Sequence, residues 1–165
     1  MKKVKMLIVV AMFVAIVPLV SAQHGDHSGH GQQSSGGQRM THDQLRAAVQ
    51  DICPVTGEKL GSMGAPVKAK IGQEEVFLCC EGCAKEKVDA QHWNTIHANM
   101  ATAQGKCPVM GKPLPQNAKS TIVAGQTVYV CCPPCAKKIA ADPKTYLQKV
   151  DALYAASVKV KPESR

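Results

Sequence analysis

All eight cysteines of this chain fall into two copies of one spacing. The first copy is Cys53-Pro54-Val55-Thr56-Gly57, then Cys79-Cys80-Glu81-Gly82-Cys83. The second is Cys107-Pro108-Val109-Met110-Gly111, then Cys131-Cys132-Pro133-Pro134-Cys135. Thiol clusters at a repeated spacing read as metal sites or as a disulfide framework, and either would govern how the chain folds. The copies share more than sulfur. Leu60 answers Leu114, Gly72-Gln73 answers Gly125-Gln126, Val76-Phe77-Leu78 answers Val128-Tyr129-Val130, and Cys83-Ala84-Lys85 answers Cys135-Ala136-Lys137. Cys107 follows Cys53 by 54 residues and Cys131 follows Cys79 by 52. Two tandem copies of one small module are the economical reading.

Each module predicts the same elements. Val67 to Ile71 and Thr121 to Ala124 read as first strands, the Gly-Gln pair as a tight turn, and Val76 to Cys79 and Val128 to Cys131 as return strands of a hairpin. A helix follows at each cluster, with Pro133 suited to a first helical position and Glu81 to the positive end of the dipole. Asp142-Pro143 restarts a helix whose apolar face is Tyr146, Leu147, Val150, Leu153 and Tyr154. In the first module Val88, Trp93, Ile96, His97 and Met100 play the corresponding part. Ahead of the repeat, Thr41 and Gln44 have capping-box spacing, and Leu45, Val49 and Ile52 line one helical face. The expected class is small α+β. Modules of about 50 residues with few aromatics are near the size at which a core alone gives marginal stability, so metals or disulfides are needed as well.

The N-terminus carries a different message. Lys2, Lys3 and Lys5 precede an apolar run from Met6 to Val20 and then Ser21-Ala22, the order of a secretory signal peptide cut after Ala22. That run is shorter than the roughly 20 residues a membrane span needs. Removing 1–22 would lower the net charge from +8 to +5 and leave no membrane span. Periplasmic or secreted localisation follows as an expectation. Residues 23–40 are rich in Gly, Ser, Gln and His, cannot offset ordering entropy, and read as disordered. The modules then occupy 41–104 and 105–157, with a tail at 158–165.

Cys-x-x-Cys at a helix start suits a thiophilic ion, because backbone N–H groups and the dipole lower thiol pKa there. Cys80 with Cys83 and Cys132 with Cys135 have that spacing, and Cys53 and Cys107 would close each site from the Cys-Pro turn. Cys79 and Cys131 are fourth ligands or free for a second role. Successive strand residues face opposite ways, so a vicinal pair reaches one ion only where the strand ends. Met110, a soft thioether, would favour Cu(I) in the second module, or else packs as an ordinary apolar residue. His24, His27 and His30 can bind metal weakly or serve as a polar tail. His42 reads as a solvated first-turn residue, and His92 and His97 as structural, with either open as a ligand of the first site.

This pattern resembles the YHS and TRASH families, small treble-clef-like metal-binding modules, over about Cys53–Met100 and Cys107–Tyr154. Their pattern is a Cys-Pro turn, a hairpin, Cys-x3-Cys and Asp-Pro-x-x-Tyr-Leu. The second module matches through Asp142-Pro143-Lys144-Thr145-Tyr146-Leu147, whereas the first has Ala90-Gln91-His92-Trp93 at that stretch. The resemblance implies Cys53, Cys79 and Cys83, and Cys107, Cys131 and Cys135, as ligands, and heavy-metal sensing, trafficking or sequestration as function.

The function expected is that of an envelope binding protein, not an enzyme. It would capture, buffer or deliver zinc or copper, about one ion per module, and pass it to a metal exporter or another envelope protein. The sequence offers no nucleophile triad, paired carboxylates or phosphate loop, and no basic-aromatic stripe for nucleic acid. Two alternatives stand beside it. A thiol–disulfide enzyme would use Cys-x-x-Cys, but no thioredoxin-like βαβ context surrounds it. A metal- or disulfide-stapled scaffold for protein interaction would suit an oxidising compartment.

Overall fold

The computed structural model describes residues 40–160. The signal peptide expected at 1–22, nearly all of the segment at 23–40 with His24, His27 and His30, and the end of the tail lie outside the described residues. The elements are α1 (His42–Gln50), β1 (Val67–Ile71), β2 (Glu74–Leu78), a 3-10 turn (Glu81–Lys85), α2 (Ala90–Gln104), β3 (Lys119–Val123), β4 (Gln126–Val130), α3 (Pro133–Ala141) and α4 (Pro143–Val160). The result is a small α+β fold of four helices and two antiparallel hairpins, β1–β2 and β3–β4.

Helix α1 starts where its capping box dictates. The Thr41 hydroxyl accepts from the Gln44 N–H, and the Gln44 side chain accepts from the Thr41 N–H. Leu45 and Val49 bury one face of it. Asp89 caps α2, accepting from the N–H groups of Gln91 and His92. Pro133 at the start of α3 has its φ set for a helix. Gly82 stands in the matching stretch of the first module, and only a 3-10 turn forms there. The low helix propensity of glycine accounts for the difference. Helix α4 runs to Val160, three residues past the expected end of the second module.

Both hairpins form where expected, and one turn differs. Strand β1 has the expected bounds, β2 and β4 begin two residues earlier and end one residue before Cys79 and Cys131, and β3 begins two residues earlier and ends one earlier. The first reverses at Gly72-Gln73, between the paired residues Ile71 and Glu74. The second reverses at Ala124-Gly125, between Val123 and Gln126, not at Gly125-Gln126. Two-residue hairpin loops require positive φ to match strand twist. Gly72 supplies 62° in the first loop, and Ala124 and Gly125 supply 49° and 78° in the second. Gln126 is thereby released into β4.

Strands β2 and β4 are the buried members, and β1 and β3 carry Lys68, Lys70 and Lys119 on the outer edges. The Glu75 N–H donates to the Gly125 carbonyl at 2.7 Å, which ties the two hairpins together. The main core lies between the helices and the second hairpin. It includes Leu45 and Val49 of α1, Ile96 and Met100 of α2, Val128 and Val130 of β4, Ile139 of α3, and Val150 and Tyr154 of α4.

Candidate metal centre

The Cys-Pro turns are built twice from the same bonds. In the first, the Cys53 N–H donates to Glu58 O and the Gly57 N–H to Cys53 O, at 2.8 and 2.9 Å. In the second, the Cys107 N–H donates to Lys112 O and the Gly111 N–H to Cys107 O, at 2.9 and 2.8 Å. Gly57 (φ 73°) and Gly111 (φ 68°) take the left-handed conformation that closes each loop. Strands β2 and β4 end just before Cys79 and Cys131, and Cys80 and Cys132 start the turn of helix that carries Cys83 and Cys135.

Two residues hold turn and hairpin in register, and both lie three residues ahead of the repeat as read from the cysteines. The buried Gln50 side chain donates to Ile52 O (2.9 Å) and Phe77 O (2.6 Å) and accepts from the Phe77 N–H (2.8 Å). Gln104 does the same with Lys106 O (3.0 Å), Tyr129 O (2.7 Å) and the Tyr129 N–H (2.9 Å). Each glutamine joins the residue before the first cysteine to the strand residue two before the next. The signal was present as Gln-x-x-Cys-Pro-Val, at 50–55 and 104–109.

The folding of these segments gathers the thiols. The sulfurs of Cys53, Cys79 and Cys83 lie within 4.8 Å of one another, as do those of Cys107, Cys131 and Cys135. Sγ–Sγ separations are 3.6 Å for Cys79–Cys83 and 3.8 Å for Cys131–Cys135. Thiolates bound at about 2.3 Å in a tetrahedron sit about 3.8 Å apart along its edges, so the donor set fits a thiophilic ion. All eight cysteines are free thiols. The vicinal cysteines stand beside the triads. Cys80 is 3.7 Å from Cys83, and Cys132 is 3.8 Å from Cys131 and 3.3 Å from Cys135.

The electrostatics correct one expectation. The helix-start argument lowers both thiols of each Cys-x-x-Cys, but only the first of each pair is lowered. Cys80 is lowered by the Cys83 N–H and then its thiol, and Cys132 by the Cys135 thiol and then its N–H. Burial, followed by the neighbouring sulfurs, pushes Cys83 up to about 12 and raises Cys135 as well. Cys131 is raised chiefly by donating to Cys107. The thiolates belong to the Cys-Pro turns. Burial opposes ionisation of Cys53, but the N–H groups of Thr56, Cys79 and Val55 outweigh it and hold the thiol at about 6. Burial likewise opposes ionisation of Cys107, and the N–H groups of Cys131, Met110 and Val109 bring it to about 7. In each triad the Cys-Pro sulfur is thus ready to bear charge beside a helix-borne thiol, Cys83 or Cys135, that resists it. A cation among them removes that conflict.

The other candidates are placed as follows. Met110 is 52% exposed, so it does not pack into the core. The Thr56 hydroxyl, at the same place in the first turn, is 3.5 Å from the Cys79 sulfur. His97 joins the modules: its Nδ1 is 2.8 Å from the Tyr129 hydroxyl and its Nε2 is 3.4 Å from the buried Glu74 carboxylate. His92 packs its ring against Gly57. His42 stays exposed yet approaches the Gln126 side chain at 3.0 Å, and Gln126 accepts from the buried Arg46 at 2.8 Å. No histidine joins either triad among the described residues. No helix among them is long and apolar enough to cross a membrane. No family model matches the chain, and neither a curated protein nor a solved structure matches it.

Proposed function

We propose that this chain is a metal-binding protein of the cell envelope or exterior that captures, buffers or hands on zinc or copper through its two thiol clusters. The observation that carries this reading is the sulfur spacing, which matches the edge of a thiolate tetrahedron at two independent places. The turn–hairpin–helix order around each cluster fits treble-clef-like modules, in keeping with the resemblance to the YHS and TRASH families. The order of basic, apolar and small residues in 1–22 supports export, and with it a role in delivering the ion to an exporter or other envelope partner. The activity proposed is binding, carried by the two thiol triads.

Native mass spectrometry of reduced protein titrated with zinc or Cu(I) tests the reading. Two ions per chain are expected. Cys83→Ser should remove one and Cys135→Ser the other, while replacing His24, His27 and His30 together by Ala should leave both. Loss of tight binding in the histidine variant would place the site elsewhere.

A further inference from the structure

The two thiol sites repeat in sequence but differ in what surrounds them. Around the first, the buried cluster is Cys53, Cys79, Cys83 and Leu78, so that Leu78 is its single member other than the ligands. Val76 and Phe77 are buried as well but lie outside that cluster. Around the second, Cys107 and Cys135 are two members of a buried cluster of 13 residues drawn from every helix and the second hairpin. The segment that carries Cys83 is a five-residue 3-10 turn, whereas Cys135 sits on a nine-residue α-helix.

Access differs in the same sense. All three cysteines of the first triad are buried, while Cys131 of the second is partly exposed. The Thr56 hydroxyl covers the Cys79 sulfur, and Met110 in its place projects to solvent. Cys132 stands within 3.8 Å of two ligand sulfurs and is itself partly exposed. A bound ion leaves a thiolate site most readily when a spare ligand can attach before a resident one departs. The first site also has a partly exposed spare thiol, Cys80, 3.7 Å from Cys83, but its triad is fully buried. The second site combines a spare thiol close to two ligands with an opening at Cys131.

We propose that the sites divide the work: the Cys53/Cys79/Cys83 site retains its ion as the staple of the first module, and the Cys107/Cys131/Cys135 site exchanges its ion through Cys132. This rests on the reading of both clusters as metal sites. With the first site empty, the Gln50 clamp still ties the Cys-Pro turn to the hairpin, but the 3-10 turn, whose one buried residue is Cys83, loses its anchor. Emptying the second leaves eleven other buried residues packed.

The test loads the purified full chain with Cd²⁺ under reducing conditions and titrates a chelator. Native mass spectrometry counts ions, circular dichroism follows structure, and N-ethylmaleimide with peptide mapping identifies the thiols set free. One ion should leave first, freeing Cys107, Cys131 and Cys135 with no change in the dichroism, and the second loss should coincide with loss of structure. Cys132→Ala should keep two ions and slow the first departure. Ions that leave together, early labelling of Cys53 and Cys79, or unchanged exchange in Cys132→Ala would overturn the division of labour while leaving metal binding intact. A chain that takes up no Cd²⁺ would overturn the proposed function, and this inference with it.

Discussion

Replacing Gln50 or Gln104 by leucine tests what positions the thiols. Leucine has a similar volume but neither donor nor acceptor, so each change deletes three hydrogen bonds without opening a large cavity. The carbonyl and N–H of Phe77, or of Tyr129, then lie buried without a partner. Each such group costs about 1–3 kcal/mol, while the carbonyl of Ile52 or Lys106, nearer the surface, turns to water. The expected loss is about 2–6 kcal/mol for each variant. Urea unfolding of zinc-saturated protein followed by circular dichroism measures it as a fall in midpoint at unchanged slope. Zinc competition should show weaker binding as well, because each glutamine ties the Cys-Pro turn to the strand that leads to the next cysteine. The exposed Gln73 gives the control, and Gln73→Leu should change neither quantity. Losses below about 1 kcal/mol at both positions, with affinity unchanged, would show that the cysteines are placed by other means.

Three further outcomes follow from particular contacts. Gly57 and Gly111 share positive φ, but a Cβ on Gly57 would stand 2.5 Å from the His92 ring and one on Gly111 would meet nothing. Gly111→Ala should therefore cost about 1 kcal/mol and Gly57→Ala clearly more, and equal shifts in thermal midpoint would refute the His92 contact. Burial opposes the Glu74 charge, but His97 leads the groups that hold its pKa below the ordinary 4.5. Its stabilising charge is present above 4.5 and lost as pH falls through the lowered value, so the advantage of wild type over Glu74→Gln should shrink as pH falls below about 4.5. Thr41→Ala removes the cap of α1 and should cost about 1 kcal/mol in the same thermal assay.

The cysteine spacing was enough to locate both thiol clusters, because such clusters have few other uses and each hairpin is marked by a glycine turn followed by an apolar return strand. The capping box of α1 and the proline start of α3 were equally plain, since each works through one or two neighbouring residues. What lay hidden was mostly non-local. Nothing near Arg46 in the sequence announces that a helical arginine will be buried, with its partner Gln126 eighty residues away and the Tyr154 ring beneath it. Likewise, the pKa order within each cluster depends on which backbone N–H groups point at which sulfur. Those directions are set by the tertiary fold, and they reverse the expectation for Cys83 and Cys135.

The glutamine clamps also change where the repeat begins. Counted from Gln50 and Gln104, a unit opens with the last turn of a helix, then the Cys-Pro turn, the hairpin and the cysteine cluster, and it closes with a helix capped by aspartate, Asp89 for α2 and Asp142 for α4. Helix α2 then serves twice. Its N-terminus is tied to the first Cys-Pro turn, where the Asp89 N–H donates to Pro54 O at 2.9 Å. Its C-terminus carries the Gln104 clamp of the second site, and its middle supplies Ile96 and Met100 to the main core. A boundary drawn between 104 and 105 separates that clamp from the turn it holds. One helix therefore connects a site whose fully buried residues are nearly all ligands, with half-buried Val55, Leu60 and Ala69 around them, to a site embedded in a substantial apolar core, the difference on which the separate fates proposed for the two ions depend.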